Sequence, residues 1–141
     1  HQSGRRQRQM CIRDSPWLTT QEIHDAVSSD VDALAIHGTG LGHLPIENPN
    51  SDAPQNIELY DALSQLNIPA LVVNQCIHGP VNMNVYSKGR IQQDIGLLGH
   101  GLTSSPEAAI VKLHFALSND MDVASTMAKN LFGEQQQTIL N

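Results

Sequence analysis

Three glycines at alternate positions, Gly38, Gly40 and Gly42, lie between His37 and His43, with Thr39 among them. Such glycine density lets a backbone turn sharply and come close to a ligand or a neighbouring chain. A tight structural turn and a ligand loop fit the pattern equally. No Gly-Lys-Ser/Thr follows, so this is not a phosphate loop. The glycine spacing is also wrong for a dinucleotide, and the next strand lacks an acidic end residue. Neither histidine has companions at metal-ligand spacing, so no metal is expected. A second cluster, Asn74, Gln75, Asn82 and Asn84, sets four side-chain amides within eleven residues. Each amide both donates and accepts, which suits either recognition of a small zwitterion or locking of a long loop against a partner subunit. Cys76 and His78 share a face on an extended chain, but nothing marks Cys76 as an activated thiol, and it reads as a small buried hydrophobe. Ser104-Ser105 before Pro106-Glu107 is a helix start rather than a nucleophile.

The elements that must position these residues alternate. Thr19 or Thr20 caps a helix to about Ser28, with Glu22 and Asp25 in its first turns. Val31 to Ile36 is a short apolar run ending at Gly38, a buried strand. After a polar excursion from Pro45 to Pro54, apolar residues at Ile57, Leu59, Ala62, Leu63 and Leu66 predict a helix, closed by Asn67 as a left-handed cap. Ile68 to Val73 is a second buried strand. A short helix or turn over Lys88–Gly96 leads to a third short strand near Ile95–Leu98. Ser105 caps a helix through Leu117, and a last helix runs from about Met121 to Leu131, stopping at Gly133. This order predicts an α/β fold, a small parallel sheet flanked by helices on both faces. In such sheets ligands bind outside the carboxyl ends of the strands, where Gly38–His43 and Asn74–Asn84 both fall.

Composition bounds what this fold can do. The 141 residues are 40% hydrophobic and only 4% aromatic, so one core is built from Leu, Ile, Val and Ala. The net charge of −6 argues against gripping nucleic acid directly. Residues 1–15 hold Arg5, Arg6, Arg8 and Arg13 against Asp14 alone, and the acids concentrate in the body. That leader shows no apolar periodicity. It reads as disordered and outside the fold: a tag, a linker or translated adapter sequence, with a basic nucleic-acid arm as the functional alternative. The domain then spans 16–134, with 135–141 a tail. No apolar run approaches a membrane span, and one cysteine in the body makes no disulfide framework. A soluble, cytoplasmic protein is expected.

Several ordered motifs together resemble a known family. They are Gly38-Thr39-Gly40-Leu41-Gly42-His43, Gln75-Cys76, Val81-Asn82-Met83-Asn84-Val85-Tyr86-Ser87 with Gly89-Arg90, Pro106-Glu107-Ala108 with Val111-Lys112-Leu113, and Asn130-Leu131 with Gly133-Glu134. They resemble the carboxy-terminal domain of the asparaginase family, over about 16–134. Within it, the glycine loop is most similar to the glutaminase (D-type) subunit of the archaeal glutamyl-tRNA(Gln) amidotransferase. The type I cytoplasmic asparaginases come next, sharing Val81-Asn82-Met83 and Lys112-Leu113-His114.

The resemblance implies a flavodoxin-like carboxy-terminal domain of a two-domain amidohydrolase. In that family the amino-terminal domain supplies a threonine nucleophile, a second threonine and an Asp–Lys pair, which form an acyl-enzyme and release ammonia from Gln or Asn. The D-type subunit passes ammonia to the E-type subunit in an ATP-dependent complex that turns Glu-tRNA(Gln) into Gln-tRNA(Gln). The carboxy-terminal domain closes the site of a neighbouring subunit in a homodimer. On this resemblance the chain is expected to be a fragment without its catalytic domain, inactive alone and needing no cofactor. His43, with Thr39 beside it, is expected to bind substrate, and Asn82, Asn84 and Tyr86 to make loop or dimer contacts. A free-standing asparaginase and a non-catalytic ligand-binding or interaction module are the competing expectations.

Overall fold

The computed structural model describes residues 18–40, 42–47, 51, 53–74, 80–84, 89–131 and 133, and the backbone of 9–13, 87 and 88. Gln75, Cys76, His78 and Tyr86 lie outside the described residues. The elements run β1 (Gln9–Arg13), α1 (Thr20–Ser28), β2 (Ala33–Gly38), α2 (Pro54–Ser64), β3 (Ala70–Asn74), α3 (Ser87–Asp94), α4 (Pro106–Ser118) and α5 (Val123–Ala128). The strands form a parallel sheet in the order β1-β2-β3, with Ile36 beside Ile12 on one side and Val72 on the other.

Successive residues of a strand face opposite sides of the sheet. Both sets are buried across Ala33–Ile36 and Ala70–Asn74, so the sheet is covered on both faces. The cover comes from apolar helix faces: Ile23 and Ala26 of α1, Leu59 and Leu63 of α2, and Ala109 and Leu113 of α4 all join one core with the strands.

The helix starts follow local chemistry. Thr19 caps α1 in a capping box: its hydroxyl accepts from the Glu22 N–H, and the Glu22 carboxylate accepts from the Thr19 N–H at 2.7 Å. Ser105 caps α4 by accepting from the Ala108 N–H at 3.2 Å, with Pro106 in the first turn.

Four expectations are corrected. Residues 9–13 are an edge strand of the sheet, not part of a structureless leader. A parallel edge strand needs backbone pairing on one side only, and Met10-Cys11-Ile12 is too short a run to show a period. The left-handed turn is not at Asn67: α2 ends on Gln65, and positive φ is taken by Asp30 after α1 and Asp120 after α4. The expected strand near Leu98 is a single parallel bridge to Leu71. Gly99, at φ +120°, turns the chain so closely over β3 that a Cβ there would stand 2.2 Å from the Val72 carbonyl oxygen, which ends the pairing. The last helix is shorter than expected at both ends, because the Asp122 carboxylate accepts from the Ser125 N–H at 2.9 Å and starts it late.

Candidate functional site

β2 and β3 are parallel, with Gly38 beside Asn74 in the register, so the segments after them leave the sheet side by side. The first folds back as a closed loop. Thr39 and His43 form an antiparallel bridge: the Thr39 N–H donates to the His43 carbonyl at 3.1 Å, and the His43 N–H to the Thr39 carbonyl at 2.9 Å. The Thr39 hydroxyl also donates to the His43 carbonyl, at 3.3 Å. Thr39 and Gly40 are exposed, whereas the His43 side chain is buried, at 5% exposure. The two residues singled out for substrate are therefore neighbours that face different surroundings. His37, on β2, is half-buried.

Gly42 joins the two segments. At φ +87°, a Cβ there would lie 2.8 Å from Val81 Cγ1, so the glycine loop packs directly on the 80–84 segment. That segment is held by polar contacts (Asn74 belongs to them, its amide donating to the Pro80 carbonyl at 3.4 Å). The Asn84 N–H donates to Asn82 Oδ1 at 3.0 Å, a local turn. Gln93 of α3 donates to Asn84 Oδ1 at 2.9 Å and to the Met83 carbonyl at 3.2 Å. Arg90 donates to the Asn84 carbonyl at 3.0 Å. From the other side the Met83 N–H donates to His100 Nδ1 at 3.0 Å, and Asn84 Nδ2 lies 3.4 Å from His100 Nε2. A cleft of about 270 Å³ opens beside His100, lined also by Gln93, Leu97 and Met127.

Three residues that sequence reasoning passed over, Gln92, Gln93 and His100, organise this region, together with Lys112, which entered the sequence reading only as a motif residue. Gln92 is fully buried on α3. Its Oε1 accepts the Leu44 N–H at 2.7 Å and its Nε2 donates to the Gly42 carbonyl at 2.9 Å. Lys112 is buried on α4, and its ammonium donates to the Met127 and Lys129 carbonyls where α5 ends. A glutamine and a lysine on the apolar faces of helices were signals in the sequence, but which backbone each would meet depends on the fold. Among the described residues no group of His, Cys, Asp and Glu could hold a metal, and no helix is long and apolar enough to cross a membrane.

Solved structures share this architecture. The chain superposes on the thermostable L-asparaginase of Thermococcus kodakarensis with a TM-score of 0.78 at 24% identity, covering 93% of this chain and 38% of that one, which is a likeness of fold. L-asparaginase I of Vibrio cholerae gives a TM-score of 0.75 at 28% identity, over 94% and 39% of the two chains. In sequence, the chain is 37% identical over 126 residues to the D-type subunit of the glutamyl-tRNA(Gln) amidotransferase of Methanobrevibacter smithii, covering 87% of this chain and 27% of that one. It is 35% identical over 122 residues to that of Sulfolobus acidocaldarius, covering 84% and 25%. The chain thus spans about a quarter of the length of these curated relatives. Residues 10–129, from β1 through α5, match the family model of the glutaminase/asparaginase C-terminal domain, and the chain belongs to that family.

Proposed function

We propose that the chain is the carboxy-terminal domain of the glutaminase (D-type) subunit of an amidotransferase that makes Gln-tRNA(Gln) from Glu-tRNA(Gln). The observation that carries this is the 37% identity to the D-type subunit of Methanobrevibacter smithii over 126 residues, which include the paired loops at the strand ends. In the whole protein a threonine of the amino-terminal domain attacks the side-chain amide of Gln or Asn, and ammonia leaves for the E-type subunit. This domain holds the amino acid in a neighbouring subunit's site and takes no cofactor itself. The protein works in the cytoplasm.

Thr39 is the residue on this chain best suited to that task. Its hydroxyl hydrogen is spent on the His43 carbonyl, which leaves acceptor lone pairs on the oxygen of an exposed residue. A zwitterionic amino acid presents an ammonium that needs such acceptors. Buried His43 supports the loop from within the fold and does not reach out to solvent. Asn82 and Asn84 hold the adjoining segment in place, next to the neighbouring subunit.

The test is a chimaera in which residues 9–133 replace the matching domain of the Methanobrevibacter smithii protein. Glutamine-dependent amidation of Glu-tRNA(Gln) with the E-type subunit present is the expected result. A folded, dimeric chimaera that hydrolyses asparagine freely and gains nothing from the E-type subunit would favour a type I asparaginase, a reading that the Vibrio cholerae structure supports. A folded chimaera that hydrolyses neither amide would overturn both.

A further inference from the structure

We infer that Gln92 is the positioning residue of the substrate loop: its buried amide sets the backbone on both sides of His43 and so holds Thr39, which His43 pairs with, in place. The inference rests on Thr39 facing substrate, as proposed above.

The polar backbone groups of Gly42, His43 and Leu44 can be accounted for one by one. The His43 N–H and carbonyl both pair with Thr39, at 2.9 and 3.1 Å, and the Gly42 N–H also donates to the Thr39 carbonyl, at 2.9 Å. The Leu44 carbonyl accepts from the Ile46 N–H at 2.9 Å. Two groups remain, the Gly42 carbonyl and the Leu44 N–H, and they are the two that Gln92 takes. Its side chain acts as a third strand of one residue, bonded to an acceptor and a donor that flank a single position. Only a side chain with both a donor and an acceptor at one end can do this. Leucine would match the volume and neither bond, and glutamate would match one.

Gln92 is fully buried, and the sequence separation from the loop is 48 and 50 residues. Neither group can therefore turn to water if the amide is removed. The Leu44 N–H and the Gly42 carbonyl would have to be buried unpaired or the loop would have to open. Because the loop is short and zipped to Thr39 at its base, opening it moves Thr39. The α3 helix thereby couples the loop to the 80–84 segment, since Gln93 beside Gln92 holds Met83 and Asn84.

Two variants of the 141-residue chain, Gln92→Leu and Gln92→Glu, test this by amide hydrogen exchange and NMR. Gln92→Leu is expected to lower protection at Leu44 by about tenfold or more, one lost hydrogen bond being worth that much, and to lower it at Gly42, whose N–H bonds to the Thr39 carbonyl, as the loop opens, while β3 and α4 keep theirs. The amide signals of Thr39 and His43 should move with it. With its carboxylate ionised, Gln92→Glu should keep the Leu44 bond and lose the Gly42 one, so it should disturb the loop signals with a smaller loss of protection at Leu44 than Gln92→Leu. It should return towards the parent spectrum as pH falls and the acid gains a proton to donate to the Gly42 carbonyl. Burial raises the pKa of such an acid, so the return should come above the ordinary carboxylate range. In the chimaera, both variants should raise KM for the amide donor by about tenfold and change kcat less, since a misplaced binding residue costs ground-state and transition-state binding alike.

Loop signals and exchange unchanged in Gln92→Leu would overturn the inference. So would protection lost evenly across the chain in both variants, which is a packing role only. If the unsubstituted chimaera proves inactive, the functional reading fails by itself, and the exchange data still decide whether Gln92 sets the loop.

Discussion

A glycine with a positive φ and a neighbour inside contact distance is a sharp test of the loop packing. Gly42 has both. An alanine there must hold φ near +87° and place its Cβ 2.8 Å from Val81 Cγ1. Gly42→Ala is expected to cost about 1–3 kcal/mol in urea unfolding, from the left-handed backbone and the overlap together. Adding Val81→Ala should recover the overlap and leave the backbone cost, a coupling that a double-mutant cycle reads directly. If the two costs simply add, the two segments do not touch as described. His100 offers a parallel case. Its Nδ1 takes the N–H of Met83, a fully buried residue. His100→Leu should destabilise by about 1–3 kcal/mol, the penalty for a buried donor left unpaired. Asparagine carries an acceptor at a similar reach, so His100→Asn should retain most of the stability. Equal losses in the two variants would mean that the ring packs and does not accept.

At the scale of elements, α5 is the one that local sequence alone would not sustain. Six residues are too few to hold a helix in water. Three anchors hold it: the Asp122 cap, the burial of Thr126 and Met127, and the Lys112 ammonium on its last carbonyls. Lys112→Met keeps the apolar stem and removes the donor, so α5 amides should lose protection while those of α1 and α2 do not. Asp122→Ala should cost about 1 kcal/mol and act on the same amides. The helices α1 and α4 were legible in advance because their caps, Thr19 with Glu22 and Ser105 with Pro106, are written within a few residues. The start of α5 was missed because Asp122 competes with Met121 and the apolar pattern there is too short to choose. β1 was missed because its strand character depends on the open edge of β2, not on its own periodicity.

At the scale of the molecule, the family relation assigns a domain and leaves the chemistry to the whole protein. The described loops carry a hydroxyl acceptor and backbone groups, and the proposed nucleophile belongs to the amino-terminal domain. The 141-residue chain is therefore expected to release no ammonia from glutamine or asparagine at concentrations where a chimaera turns over, measured by coupled ammonia detection. Release of ammonia that scales with the amount of chain and survives repurification would overturn that division of labour.

Alternation of apolar runs with capped helices was enough to establish a parallel α/β domain with its glycine loop and amide-rich loop at one end, because burial on both faces of a strand and helix capping are local patterns. Thr39, His43, Asn82 and Asn84 were legible as candidates for the same reason: they sit in loops dense in glycine and amides. Tertiary structure alone decided where each of them sits and what it touches. It buried His43 and left Thr39 exposed, and it engaged Asn84 with Gln93, Arg90 and His100. It also brought Gln92 to a loop 48 residues away. A side-chain amide carries no sign in the sequence of which distant backbone it will satisfy. That partner exists only once parallel pairing of β2 and β3 has set their loops side by side and the core has no water left to offer in its place.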